Sequence, residues 1–217
     1  MPQSFNGAGI DGNWFTAVAH FAQDTPWLHA LVTSYANVIG LLLFALLLVG
    51  GWWTARGADN TLMARALAGP VAVLLAYLVN DVVKSLVDEN RPCQSLPGVH
   101  ILEACEAPGD WSFPSNHAAI AGATVLAVWL VSRRLGAVAL VCGLLMAAAR
   151  VYIGAHYPHD VIAGLLLGAV AGAVVSILAG RYGAGLVGRL RGGSWSRLLG
   201  EDPIDTRADQ RLSASSA

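Results

Sequence analysis

Charge is what this chain has least of. Of its 217 residues only 12% are Asp, Glu, Lys or Arg, while 55% are hydrophobic. A soluble domain of this size carries about 25% charged residues. The shortfall excludes an ordinary soluble domain and, with repeated long apolar runs, predicts an integral membrane protein. Lysine is nearly missing: Lys84 stands alone beside twelve arginines. With abundant Ala, Gly and Val, that bias reads as a GC-rich bacterial coding sequence. The first twelve residues lack both a basic stretch and an apolar stretch, so no cleavable signal peptide is expected and the first span acts as its own signal. Cysteine is also scarce. Cys93 and Cys105 flank a polar loop; they form a disulfide if that loop faces an oxidising compartment, or remain two thiols. Cys142 lies in an apolar run and reads as a small packing residue. Carboxylate clusters suited to two metals are lacking as well, so neither metal nor cofactor is expected, and no nucleic-acid partner.

The hydrophobic runs predict an all-α membrane bundle of about five transmembrane helices behind an N-terminal interfacial helix. Residues 12–24 alternate apolar Trp14, Phe15, Val18 and Phe21 with His20, Gln23 and Asp24, as a helix lying in the interface does. Trp27 follows as an interfacial anchor. The spans are predicted at about 28–53, 63–83 (with Pro70 a candidate kink), 116–131, 135–149 and 158–180. Pro158 suits the first position of a helix. Gly164, Gly168 and Gly172 make a small-residue stripe for helix packing, within the chain or between copies. The chain divides into an interfacial segment 1–26, a membrane-embedded unit 27–182 and a polar tail 183–217, whose last twenty or so residues are predicted to be disordered.

Arginine placement orients the bundle. Arg56, Arg65, Arg133, Arg134, Arg181, Arg189, Arg191, Arg197, Arg207 and Arg211 fall on one side, ten of the thirteen basic residues. That side is therefore predicted to be cytoplasmic. The remaining three, Lys84, Arg91 and Arg150, break the pattern and need another reason to exist. They sit in three polar knots: Lys84 to Pro92, Pro114-Ser115-Asn116-His117, and Ala149 to Asp160. All three knots fall on the non-cytoplasmic face. Arg134 and Arg150 are sixteen residues apart, roughly 24 Å of helix. Arg150 is thus expected near the headgroup boundary, where a lipid phosphate lies.

Phosphoryl transfer suits this set. The transferring group spreads negative charge over its oxygens, and catalysis is mostly positioning plus cationic stabilisation. The three cations, Ser115, Asn116 and the free N–H groups at a helix start can supply that. Of two histidines, one can attack phosphorus and the other can protonate the leaving oxygen. Asp160, four residues after His156, can orient an imidazole. His159 lies outside this scheme and reads as supporting or incidental.

Lys84-x6-Arg91-Pro92, Pro114-Ser115-Asn116-His117 and Arg150-x5-His156-x3-Asp160 resemble the three-part signature of the type 2 phosphatidic acid phosphatase family, over roughly Trp27 to Gly180. The chain is most similar to the family's bacterial undecaprenyl-diphosphatase branch. The resemblance implies a phosphohistidine on His156, oriented by Asp160, with His117 as general acid. It implies that Lys84, Arg91, Ser115 and Arg150 bind phosphate; Asn116 joins them from the reading of the residues. Two positions depart from the pattern: Asn116 replaces the usual glycine, and Ala149 the usual serine. The expected function is metal-independent hydrolysis of a polyprenyl diphosphate at the outer face of a bacterial cytoplasmic membrane. The rivals are hydrolysis of phosphatidate or phosphatidylglycerophosphate, phosphotransfer to a second lipid, and lipid-phosphate binding without catalysis.

Overall fold

The fold is known from a computed structural model that describes residues 5–107 and 109–200. Eight helices run in chain order. They are α1 (Ala8–Asp24), α2 (Pro26–Ala55), α3 (Asn60–Val87), α4 (Pro92–Ser95), α5 (Asn116–Trp129), α6 (Arg133–Tyr152), α7 (Pro158–Arg191) and α8 (Ser196–Leu199). No strand occurs among the described residues. Four of them, α2, α3, α6 and α7, are long and apolar enough to cross a membrane. The fifth apolar helix, α5, has only 14 residues, roughly 21 Å of rise. It is the innermost helix, and nine of its residues are buried.

Several observed boundaries depart from the sequence reading. Helix α1 starts at Ala8, not near residue 12. Arg133 and Arg134 open α6 instead of forming a loop. Helix α7 continues eleven residues past Gly180, because Arg181, Arg189 and Arg191 carry it out of the apolar layer without breaking it. Helix α3 runs unbroken through Pro70. Its start is fixed by Asp59, whose carboxylate accepts from the Leu62 N–H at 2.9 Å, a standard N-cap contact. The disordered tail predicted from the sequence falls mostly on residues 201–217, outside the described residues.

The bundle is packed as a membrane protein is. Leucines and valines such as Leu42, Leu46, Leu74, Leu78, Leu144 and Leu166 face outward, and the interior is built from small residues. Between α5 and α7 the backbones approach so closely that a methyl group cannot be added. A Cβ on Gly164 would meet the Ser115 carbonyl oxygen at 2.5 Å, and one on Gly172 the Ala123 carbonyl oxygen at 2.5 Å; Gly168 faces that of Ala119 in the same way. Lipid offers no hydrophobic drive between helices, so such close packing is what holds them. The glycine stripe therefore works within the chain, and it locks the start of α5 against the start of α7.

Candidate active site

Four helix ends and two loops meet at one end of the bundle. Lys84 is in the last turn of α3, Arg150 in the last turn of α6, Ser115-Asn116-His117 begins α5 and Asp160 is in the first turn of α7. Gly154, at φ +85°, reverses the chain between α6 and α7. That conformation suits glycine, and it returns His156 toward the bundle axis. The loop after α3 crosses over this turn. The Ile153 carbonyl accepts from the N–H groups of Leu102 and Glu103 at 3.0 and 2.9 Å, and a Cys93–Cys105 disulfide closes the loop.

Beneath the loop is a cavity of about 380 Å³ lined by Lys84, Arg91, Asn116, His117, Arg150 and His156, together with Asn37, Glu103, Glu106 and Asp110. Six of the eight residues named from the sequence line it. The other two stand directly behind. Ser115 is fully buried at the N-cap of α5, and its Oγ has no hydrogen-bond partner among the described residues. Asp160 is fully buried beside His156, with Oδ2 3.4 Å from His156 Nδ1. Nε2 is then the histidine nitrogen left for the cavity.

Each cation is held by oxygens and keeps further N–H groups free for an anion. Lys84 Nζ donates to the Trp111 carbonyl at 2.9 Å. Arg91 donates to the carbonyls of Asp110 and Ala155, both at 3.1 Å, and to the Asp110 carboxylate at 2.9 Å. Arg150 donates to Asn37 Oδ1 at 2.8 Å, and its Nη1 is 4.0 Å from the Glu103 carboxylate. All three are less than a tenth exposed. Burying three like charges together is costly unless counter-charges accompany them, and Glu103, Glu106 and Asp110 supply part of that balance. The His156 imidazole is held well below its ordinary pKa, first by burial and then by the positive charges of Arg150, Arg91 and Lys84. A neutral ring is the form that can attack phosphorus.

Sequence reasoning missed several supporting residues. Ser112 is fully buried and donates to Asp160 Oδ2 at 2.5 Å, while the Tyr157 N–H donates to the same oxygen at 2.9 Å. The Asp160 oxygen facing His156 is thus fixed by two other donors. Asn80 donates to Asn116 Oδ1 at 2.5 Å and to the Pro114 carbonyl at 3.0 Å, which sets the entry to α5. Asn37 reaches Arg150 from a widened turn of α2, Tyr35–Ile39; such turns gather at functional sites. Ser112, Asn80 and Asn37 lie outside the three knots, and a polar residue in a loop or an apolar span carries no spacing signal of its own. His159 proves to be anchored, with contacts to Asp11 and Glu89.

The family profile described as PAP2 superfamily matches residues 65–183, more than half of the chain. The chain belongs to the PAP2 superfamily. It is 29% identical to the bacitracin transport permease protein BcrC of Bacillus licheniformis, over 77% of this chain and 79% of that one. It is equally 29% identical to the undecaprenyl-diphosphatase BcrC of Bacillus subtilis, over 64% and 67%. The crystal structure of a transmembrane PAP2-type phosphatidylglycerolphosphate phosphatase from Bacillus subtilis superposes with a TM-score of 0.58, covering 79% of this chain and 87% of that one at 21% identity. The protein is a multi-pass membrane lipid phosphatase of the PAP2 kind.

Proposed function

We propose that the protein hydrolyses a polyprenyl diphosphate, of the undecaprenyl class, to the monophosphate and inorganic phosphate. The observation that carries the mechanism is the pairing of His156 and Asp160 beneath a cavity ringed by Lys84, Arg91 and Arg150. The terminal phosphate lies among these cations, Ser115 Oγ, Asn116 and the N–H groups at the start of α5. His156 Nε2 attacks phosphorus, the bond from phosphorus to the bridging oxygen breaks, and His117 gives that oxygen a proton. Asp160 steadies the positive charge that develops on His156. Water, deprotonated by His117, then cleaves the phosphohistidine and restores the ring. No metal is used, because the guanidinium and ammonium groups supply the positive charge. The name of the Bacillus subtilis relative supports the substrate class.

The site is assigned to the outer face of a bacterial cytoplasmic membrane, with residues 27–182 as the catalytic unit, 1–26 along the interface and the tail from 183 inside. Arg56, Arg65, Arg133, Arg134, Arg181, Arg189, Arg191 and Arg197 favour this, since all belong to the opposite helix ends. One observation favours a second reading, a monoester such as phosphatidate or phosphatidylglycerophosphate. Glu103, Glu106 and Asp110 line the cavity, and they repel a second phosphate unless they swing away.

Phosphate release by the purified protein in detergent with EDTA decides between these readings. Undecaprenyl diphosphate, phosphatidate and phosphatidylglycerophosphate are offered side by side, with His156→Ala as the control. The expected result is fastest release from the diphosphate and no detectable release by the variant. Faster release from a glycerolipid would select the second reading. Activity surviving in His156→Ala would overturn the phosphohistidine.

A further inference from the structure

His159 takes no part in the steps above, yet both of its ring nitrogens are engaged. Nδ1 is 2.8 Å from Asp11 Oδ1, and the His159 main-chain N–H donates to Asp11 Oδ2 at 2.8 Å. Nε2 is 3.1 and 3.2 Å from the two carboxylate oxygens of Glu89. It is also 3.2 Å from Asp160 Oδ1, close enough for an ion pair but not aligned for a hydrogen bond. The ring stacks on Tyr157 and Phe113, with centroids at 5.5 and 5.9 Å. Glu89 is 1% exposed and Asp160 fully buried.

A neutral imidazole has a single N–H to donate. With carboxylate oxygens against both nitrogens, the ring satisfies both contacts only as an imidazolium. Three carboxylates then face it: Asp11 from α1, Glu89 from the loop after α3, and Asp160 from its own first turn of α7. Glu89 and Asp160 repel each other across a buried space, and His159 is the cation between them. Asp160 is the same carboxylate that turns its other oxygen to His156.

We propose that His159 is a positioning residue for the reaction. Clamped by Asp11 and Glu89, its imidazolium holds Asp160 as the carboxylate that orients His156, and it reaches the substrate only through Asp160. Helix α1 contributes to catalysis by this route. Its backbone bends at Asp11, at φ −144° and ψ 26°, and that one carboxylate holds both the main chain and the ring of His159. The proposal rests on the roles given above to His156 and Asp160.

The test uses the full chain in detergent with undecaprenyl diphosphate and phosphatidate, and compares His159→Gln, Glu89→Gln, the double variant, Asp11→Asn and His156→Ala. His159→Gln leaves Glu89 and Asp160 unbalanced. Its kcat is expected to fall about tenfold or more while KM changes less than about threefold, because Lys84, Arg91 and Arg150 do not touch His159. Adding Glu89→Gln removes the unbalanced charge and is expected to restore most of kcat. A double variant no more active than His159→Gln would make the contacts merely structural and overturn the proposal, as would full activity in His159→Gln. If His159→Gln does not fold, Asp11→Asn carries the test: lowered kcat at unchanged KM supports the proposal, and unchanged kcat overturns it. Glu89, His159 and Asp160 are also close enough to share a metal ion. Loss of wild-type activity in EDTA, restored by a divalent cation, would therefore overturn the imidazolium. Activity surviving in His156→Ala would remove the reading of the site itself, a failure distinct from that of His159.

Discussion

His156 joins the chemistry to a pH response that can be measured. Its imidazole is buried among Arg150, Arg91, Lys84 and His117, and its pKa is depressed far below the ordinary value of 6.5. In the unfolded chain it titrates near that ordinary value. A depressed folded pKa means the stabilisation is complete above about pH 6.5 and is lost as pH falls, because the unfolded chain takes up a proton that the folded chain does not. The slope is at most about 1.4 kcal/mol per pH unit for one proton. Thermal unfolding in detergent from pH 7.5 to 5.5 should therefore show a falling midpoint, and a shallower fall in His156→Ala. An equal fall in the variant would mean that other groups govern acid sensitivity. The same burial favours the neutral ring of His156, the proposed nucleophile. Two other residues share the neighbourhood for different reasons: Ser112 restrains Asp160 directly, and Ser115 keeps a buried hydroxyl without a partner among the described residues, the kind of group that an entering phosphate oxygen would satisfy.

At the scale of elements, the approach of α5 to α7 decides whether the site exists. Ser115, Asn116 and His117 start one helix and Asp160 starts the other, so any wedge between them separates the proposed phosphate-binding residues from the proposed nucleophile. Gly168 faces the Ala119 carbonyl at the tightest part of this seam. Gly168→Val is expected to cost about 1–3 kcal/mol or more, the range for overpacking, and to lower phosphate release at every substrate concentration. Gly185→Ala, farther along the same helix with open space around it, should change neither. The thermal midpoint and the phosphate release of the two variants check this directly. Equal behaviour would mean that the seam is slack. The glycine spacing was legible in the sequence, whereas its partner was not. A stripe of small residues says that something packs closely, and only the fold says that it is the innermost helix.

For the whole molecule, the proposed direction of insertion rests on charge asymmetry. Eight arginines lie at the ends opposite the cavity, and a membrane retains such residues on the cytoplasmic side. Single cysteines at exposed Gly57 and Ser85, on opposite ends of α3, should react differently with an impermeant maleimide in intact cells. Labelling is expected at position 85 and absent at position 57. The reverse pattern would invert the bundle and move the cavity to the cytoplasmic side.

The sequence by itself determined the membrane class, the helices and eight candidate site residues that the fold brings to one end of the bundle, for a physical reason. Charged and polar groups are so expensive in an apolar chain that those that persist mark either an end of a helix or a site. It determined the order of the spans less sharply at their ends, since Arg133, Arg134 and Arg181 continue a helix at the interface as readily as they stop one. Only the tertiary structure decided that Ser112 and Asp160 share a hydrogen bond, that Asn37 reaches Arg150 across more than a hundred residues of chain, and that Asp11 reaches His159 from a different helix. These contacts join segments distant in sequence. They are made by ordinary polar residues whose spacing carries no period, and they become visible only when packing brings the segments together.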